Sequence, residues 1–306
     1  MNWTKAKRII IVMLIALNAV LFVANRFYNN GYRLAQDEER AAYQLLAQNG
    51  IGIYTDLLTD YSPMKQLDVT VVSPDIEELK VMFFDAEDTV DTNVELEKTV
   101  MESYSAKLIA ENSKISYSCP TGYGDITGVG KKAAQDLANS FLKRMGSKYS
   151  SYVLDRITYK NGGYQLEYYD YYKGYKVFCN YCTFFIDDSG IKTIESENYD
   201  INGFVEENNE ICSSAEAILT YIYDTQNSDR TGRFIEDMEI GYDFKESEEI
   251  VDGTKIRLVP CYHIFLINEE NPFAIYAYTN KSKSKTDEFN LMTDMNNDQG
   301  LNDARQ

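Results

Sequence analysis

The chain has 306 residues, 44% of them apolar and 25% charged, which suits an anchor plus one or two packed lobes and excludes wholesale disorder. Its first 36 residues hold five basic side chains and no carboxylate; the rest sets 25 basic residues against all 48 acids, a net charge of −23. Such a surface repels phosphate backbones, so nucleic acid is excluded as a partner. The acid excess reads most simply as a device for solubility. Five cysteines (Cys119, Cys179, Cys182, Cys212 and Cys261) are too few for a disulfide scaffold, and their odd number leaves at least one unpaired. Twenty-five tyrosines against one tryptophan point to sheet-rich structure, because Tyr suits strands with one wet face.

The first predicted element is a membrane span. Ile9 to Ala24 reads IIIVMLIALNAVLFVA, interrupted only by Asn18. Sixteen helical residues cover roughly 24 Å of a slab about 30 Å thick, so the flanks must complete the crossing, with Lys7 and Arg8 snorkelling. Trp3 and Phe27–Tyr28 fit interfacial anchors. A cleavable signal is the alternative, but Phe22-Val23-Ala24 has a bulky residue where a small one belongs, and an uncleaved anchor is expected. Lys5, Lys7 and Arg8 keep the short N-terminus cytoplasmic and send the rest across the membrane. A mid-span amide lacks water and looks for a partner helix, so Asn18, with Leu14, Leu21 and Trp3, is the expected interaction set.

Beyond the span, Asp37–Asn49 predicts a helix stopped by Gly50 in the left-handed region. Leu67–Val72 and Leu79–Phe84 read as strands, and Val94–Leu108 is open between helix and strand. A helix over Lys131–Met145 follows, with Ala134, Leu137, Ala138, Phe141, Leu142 and Met145 on one face. Lys143 and Arg144 suit its C-terminal dipole. Strands are then expected at Val153–Tyr159, Tyr164–Tyr171, Tyr175–Ile186 and Ile191–Tyr199, with turns at Gly162-Gly163, Lys173-Gly174 and Asp187–Gly190. A second helix opens at Ser213 with Glu216 at capping-box spacing, then strands at Met238–Phe244, Thr254–Leu258, Cys261–Ile267 and Phe273–Tyr278. Each stretch is one helix followed by an antiparallel meander. The expected fold is therefore α+β with two related units: a cytoplasmic end (1–8), an anchor (9–28), a first lobe (29–125), helix–meander units (126–205 and 206–280) and a disordered tail (281–306).

Catalytic chemistry finds no foothold. The one histidine, His263, lies in a predicted strand with nothing to orient a nucleophile beside it. Cys179 and Cys182 have CxxC spacing, but in a strand that spacing points the two thiols to opposite faces. Gly122–Lys131 fails as a phosphate loop, since Asp125 stands where Gly is needed and Lys132 where Ser or Thr is needed. The stretch from Asp294 to Asp298 fails as a calcium loop at Gln299 and Arg305. Glu248-Glu249 reads as a solvated face. No enzyme activity, metal or cofactor is expected.

Several segments carry a family resemblance: the opening Met-Asn-Trp with its basic cluster and single span, ERAAYQLLAQNGIGI (39–53), MKQLDVTV (64–71), LKVMFFD (79–85), Gly174-Tyr-Lys-Val-Phe178 and LVPCYHIF (258–265). Together they resemble the YycI branch of the YycH/YycI regulators, although members of that branch begin Met-Asp-Trp and this chain has Asn2. The resemblance implies a membrane-anchored accessory protein of a WalK/WalR-type two-component system controlling cell-wall metabolism. A YycH-type partner and a WalK-type sensor kinase would be its contacts, met through the transmembrane helix and the extracytoplasmic domain. The competing expectation is a PepSY-like extracytoplasmic binding module that restrains a peptidase or holds a wall component.

Overall fold

The computed structural model describes residues 7, 10–11, 13–21, 31–95, 98–124, 126, 130–227, 232–245, 252–269, 271–278 and 281–282. Trp3, the pair Glu248-Glu249, Asp294–Arg305 and most of the predicted span's flanks lie outside them. In chain order the elements are α1 (Gln36–Gln48), β1 (Gly52–Ile53), β2 (Met64–Val71), α2 (Ile76–Phe83), β3 (Asp91–Val94), β4 (Lys98–Glu102), β5 (Lys107–Glu111), β6 (Lys114–Tyr123) and α3 (Lys131–Arg144). A 3-10 turn at Tyr149–Ser151 leads into β7 (Val153–Lys160), β8 (Gly163–Tyr172), β9 (Tyr175–Asp187), β10 (Gly190–Glu197) and β11 (Tyr199–Asn209). Then come α4 (Ser214–Asp224), β12 (Phe234–Phe244), β13 (Lys255–Leu266), β14 (Phe273–Tyr276) and β15 (Lys281–Ser282). The fold is mixed α+β and dominated by antiparallel pairing, as expected. Among the described residues no helix is long and apolar enough to cross a membrane.

The chain forms two compact units: Met1–Met64 with Asn208–Glu239 and Tyr262–Ser282, and Lys65–Glu207 with Ile240–Cys261 and Lys283–Gln306.

The strand order along the sheet is β11-β2-β13-β12-β9-β10-β6-β5-β4-β3. Strands β7 to β10 form the predicted meander, each antiparallel to the next. Its turns are set by sequence: Asn161-Gly162 (φ 53° and 82°) and Lys173-Gly174 (φ 51° and 91°) both hold the positive φ pair that matches strand twist. The first turn thus sits one residue earlier than expected, and Gly163 begins β8, where a Cβ would meet the Ile186 carbonyl oxygen at 2.5 Å. Helix α3 lays Ala134, Ala138, Phe141 and Leu142 on this sheet. Its Phe141 ring lies 5.6 Å from Phe83 and 6.1 Å from Phe184, and Phe184 lies 5.8 Å from Tyr168.

Two expectations are corrected. Leu79–Phe84 is not a strand: Asp75 caps a helix there, its Oδ1 accepting from Glu77 N at 2.8 Å and Glu78 N at 3.2 Å, and Leu79 and Phe83 are buried one turn apart. Thr254–Leu258 and Cys261–Ile267 are one strand, β13, which runs through Pro260. Its ladder with β2 ends at Leu258, before the residue that has no N–H to give. Strand β12 pairs in parallel with β1 and, further along, with β9. Gly241 permits the latter approach, since a Cβ there would lie 2.4 Å from the Lys176 carbonyl oxygen. Of the predicted tail, residues 281–282 form β15 against β14, and the rest lies outside the described residues.

The tyrosines are more deeply placed than a one-wet-face sheet requires. Tyr149, Tyr152, Tyr168 and Tyr199 are buried, each hydroxyl meeting a polar side chain: Ser196 at 3.2 Å, Asn198 at 2.6 Å, Asn139 at 3.0 Å and Glu197, respectively. Burial pushes the Tyr149 phenol up to about 12 and raises the other three as well, so all remain neutral donors or acceptors. Fully buried Asn180 stitches β9 to β11 by donating to Tyr199 O (3.0 Å) and accepting from Tyr199 N (2.9 Å).

Candidate functional site

Two features of the first unit are candidates. One is the N-terminal helical run, described at residues 7, 10–11 and 13–21. Ile10, Ile11, Met13, Leu14, Ile15, Leu17, Val20 and Leu21 are each more than half exposed. The Asn18 side chain donates from Nδ2 to Leu14 O at 2.9 Å, one turn back on its own helix. One N–H of the predicted pairing amide is therefore already satisfied locally. Leu14 and Leu21 belong to the same exposed helix.

The other is a groove of about 360 Å³ between α1 and α4, lined by Glu38, Ala41, Ala42, Leu45, Tyr61, Ser213, Ala215, Glu216 and Leu219. Both helices place a glutamate at their third position. Glu216 Oε2 accepts from Ser213 N at 2.7 Å while Ser213 Oγ accepts from Glu216 N at 3.3 Å, the reciprocal box the spacing predicted. On α1, Ala35 N donates to Glu38 Oε2 at 3.4 Å. The third wall is the segment before β2. Ser214 Oγ donates to Leu58 O at 2.7 Å, Leu34 N to Thr59 O at 2.8 Å, and Tyr61 N to Tyr32 O at 3.0 Å. These bonds hold Tyr61 over the groove, its hydroxyl donating to Gly31 O at 3.3 Å. Burial, then the charges of Glu38 and Glu216, raise the Tyr61 phenol above its ordinary range, which places both carboxylates within electrostatic reach of one hydroxyl. Among the described residues no basic side chain lines the groove.

Behind the groove, Tyr262 donates to Cys212 O at 2.8 Å. Burial first, and Glu216 second, push the Cys212 thiol from 9.0 up to about 12. A rise of that size lowers the thiolate fraction at pH 8 about a thousandfold. N-Ethylmaleimide at pH 8, read by peptide mass spectrometry, should therefore label Cys212 far more slowly in the folded chain than after denaturation. Equal rates would show that the thiol is not held in this environment.

His263 is buried in β13. Cys182 is fully buried in the core beneath α3, and Cys179 is buried outside that cluster, consistent with opposite faces; burial raises the Cys182 thiol well above its ordinary value. Neither belongs to a group of three or more potential metal ligands among the described residues. Gly122–Lys131 leads into α3, with residues 125 and 127–129 outside the described set. The groove itself was not foreseen. Ser213-x-x-Glu216 was legible as a cap, but Glu38 and Tyr61 reach it only through tertiary packing.

No protein-family model and no curated protein matches the chain. Among solved structures, an uncharacterized protein from Eubacterium rectale ATCC 33656 aligns with a TM-score of 0.52 at 11% identity, over 76% of this chain and 90% of that one. That likeness is one of fold. YycH from Bacillus subtilis aligns at 13% identity with a TM-score of 0.44, over 71% of this chain and 56% of that one. The YpeB C-terminal domain of Bacillus megaterium aligns at 11% identity with a TM-score of 0.35, over 70% and 96%.

Proposed function

We propose that the chain is a membrane-anchored accessory regulator that acts without catalysis, through protein contacts, on a cell-wall-controlling two-component sensor kinase. The observation that carries the reading is the N-terminal helical run, whose eight large apolar side chains are 52–68% exposed. Apolar surface left in water costs about 25 cal/mol per Å², and a bilayer removes that cost along a whole helix at once. The basic cluster ahead of the run, the acidic remainder and the YycI-like segments support the same reading, with a WalK-type kinase and a YycH-type protein as partners by resemblance.

Alkaline washing of membranes from cells making the full chain tests the anchor: the protein should stay in the pellet, and release into the wash would remove it. Asn18→Leu tests the contact. A membrane amide pair contributes about 1 kcal/mol, and Asn18 has one N–H engaged at home, so co-purification with the kinase should fall up to about fivefold. Unchanged recovery would take Asn18 out of the contact.

A further inference from the structure

The groove between α1 and α4 has a chemistry of its own. At one end Glu38 and Glu216 bring two carboxylates to its lining, and neither makes an ion pair among the described residues. Each spends Oε2 on its own helix cap. The rest of the lining is Tyr61, Ser213 and a small apolar wall, with Ala41, Ala42 and Ala215 leaving room and Leu45 and Leu219 supplying aliphatic surface; Leu219 is 46% exposed. Two negative charges beside a shallow apolar floor complement a cation attached to an aliphatic body. A divalent metal fits poorly, since it wants six or more oxygen ligands and this wall is largely carbon. An anion is repelled. The volume, about 360 Å³, stands at the small end of the roughly 300–1,000 Å³ of small-molecule pockets. It holds one long side chain and an apolar neighbour, and the groove between two helices is open for a chain to enter and leave. The alanines let a backbone come close, and apolar anchors set between helices are a recurring way of holding a peptide.

We propose that this groove binds a short peptide segment of a partner protein presenting a lysine or arginine beside an aliphatic residue. This deepens the reading above, which rests on protein contacts, but it is tested apart from the anchor: failed peptide binding leaves membrane attachment standing, and a lost anchor leaves the groove intact.

The test uses the full chain in zwitterionic detergent and a fluorescent peptide, acetyl-Leu-Lys-Leu-Leu-Lys-amide, followed by anisotropy. The lysine peptide should bind, and its counterparts with norleucine or glutamate in place of lysine should bind at least tenfold more weakly. Glu38→Gln with Glu216→Gln should weaken the lysine peptide tenfold or more, because glutamine keeps the cap acceptor while removing the charge. Binding should also weaken as salt rises from 0.05 to about 0.5 M. Ala41 is exposed, so Ala41→Trp should fill the groove and abolish binding without lowering the thermal midpoint. No binding of the lysine peptide, equal binding of the norleucine peptide, or full binding by the double variant would overturn the proposal. So would competition by hexylamine at the peptide's own affinity, which would make this a site for small amines.

Discussion

Asp155→Ala is expected to destabilise the second unit by about 3 kcal/mol, because it takes a carboxylate partner away from a buried ammonium. Lys176 Nζ lies 2.6 Å from Asp155 Oδ1, and the lysine side chain is only 4% exposed. Asp155 is the extra residue of a bulge in β7, where the ladder steps from Leu154 opposite Tyr168 to Arg156 opposite Glu167, so its side chain leaves the regular alternation. The Tyr169 ring, 4.8 Å from Nζ, would retain part of the attraction, which keeps the loss toward the lower end of the 3–5 kcal/mol typical of a broken buried pair. Replacing both partners, Asp155→Leu with Lys176→Met, removes the buried ammonium together with this carboxylate and should cost less than Asp155→Leu alone. Urea unfolding of the wild type, Asp155→Leu, Lys176→Met and the double variant, followed by hydrogen exchange of β9, measures the coupling. Additive single losses would show that the contact is energetically idle.

What the sequence made legible was whatever is local. Gly50 (φ 72°) stops α1, the Ser213/Glu216 box opens α4, and the Gly174 turn sets the β8–β9 hairpin; each is decided by residues within a few positions. Short apolar runs were not decided that way. LKVMFF carries neither a clear twofold nor a 3.6-residue period, and the Asp75 cap ahead of it was the signal for a helix. Thr254–Leu258 and Cys261–Ile267 read as two strands, yet they are one, with Pro260 placed where β13 has already finished its ladder with β2. The parallel pairs Gly52↔Phe234 and Gly241↔Lys176 join residues far apart in sequence, and nothing local encodes them. The groove shares that character. Its two glutamates are legible as helix-start acids, but their convergence on Tyr61 is set by how α1, α4 and the segment before β2 pack.

Arg144 shows the same divide between a local and a tertiary role, and its loss should be about as costly. By position it is a cation in the last turn of α3, worth a few tenths of a kcal/mol, up to about 1, against that helix's dipole. In the structure its guanidinium serves a different helix. Nη2 donates to Phe84 O at 2.5 Å and to Val81 O at 3.3 Å, Nε donates to Val81 O at 3.4 Å, and Nη1 meets Asp85 Oδ1 at 3.2 Å. It thereby closes the C-terminal end of α2, whose last carbonyls have no partners within the helix. The plane also lies 5.1 Å from the Tyr123 ring centroid and 5.9 Å from that of Phe141, so it is stacked as well as bonded. Hydrogen bonds to a charged group contribute about 1.5–3 kcal/mol, and the one to Phe84 O is part-buried, so Arg144→Leu should cost about 3 kcal/mol. Arg144→Lys should recover little of this, because one ammonium cannot span Val81, Phe84 and Asp85 while lying flat on Tyr123. Thermal melts rank the three proteins, and hydrogen exchange places the defect: amides of Leu79–Phe83 should open first. If lysine restored the full melting temperature, the role of Arg144 would reduce to a point charge near α3, and the account of how α2 is held would fail.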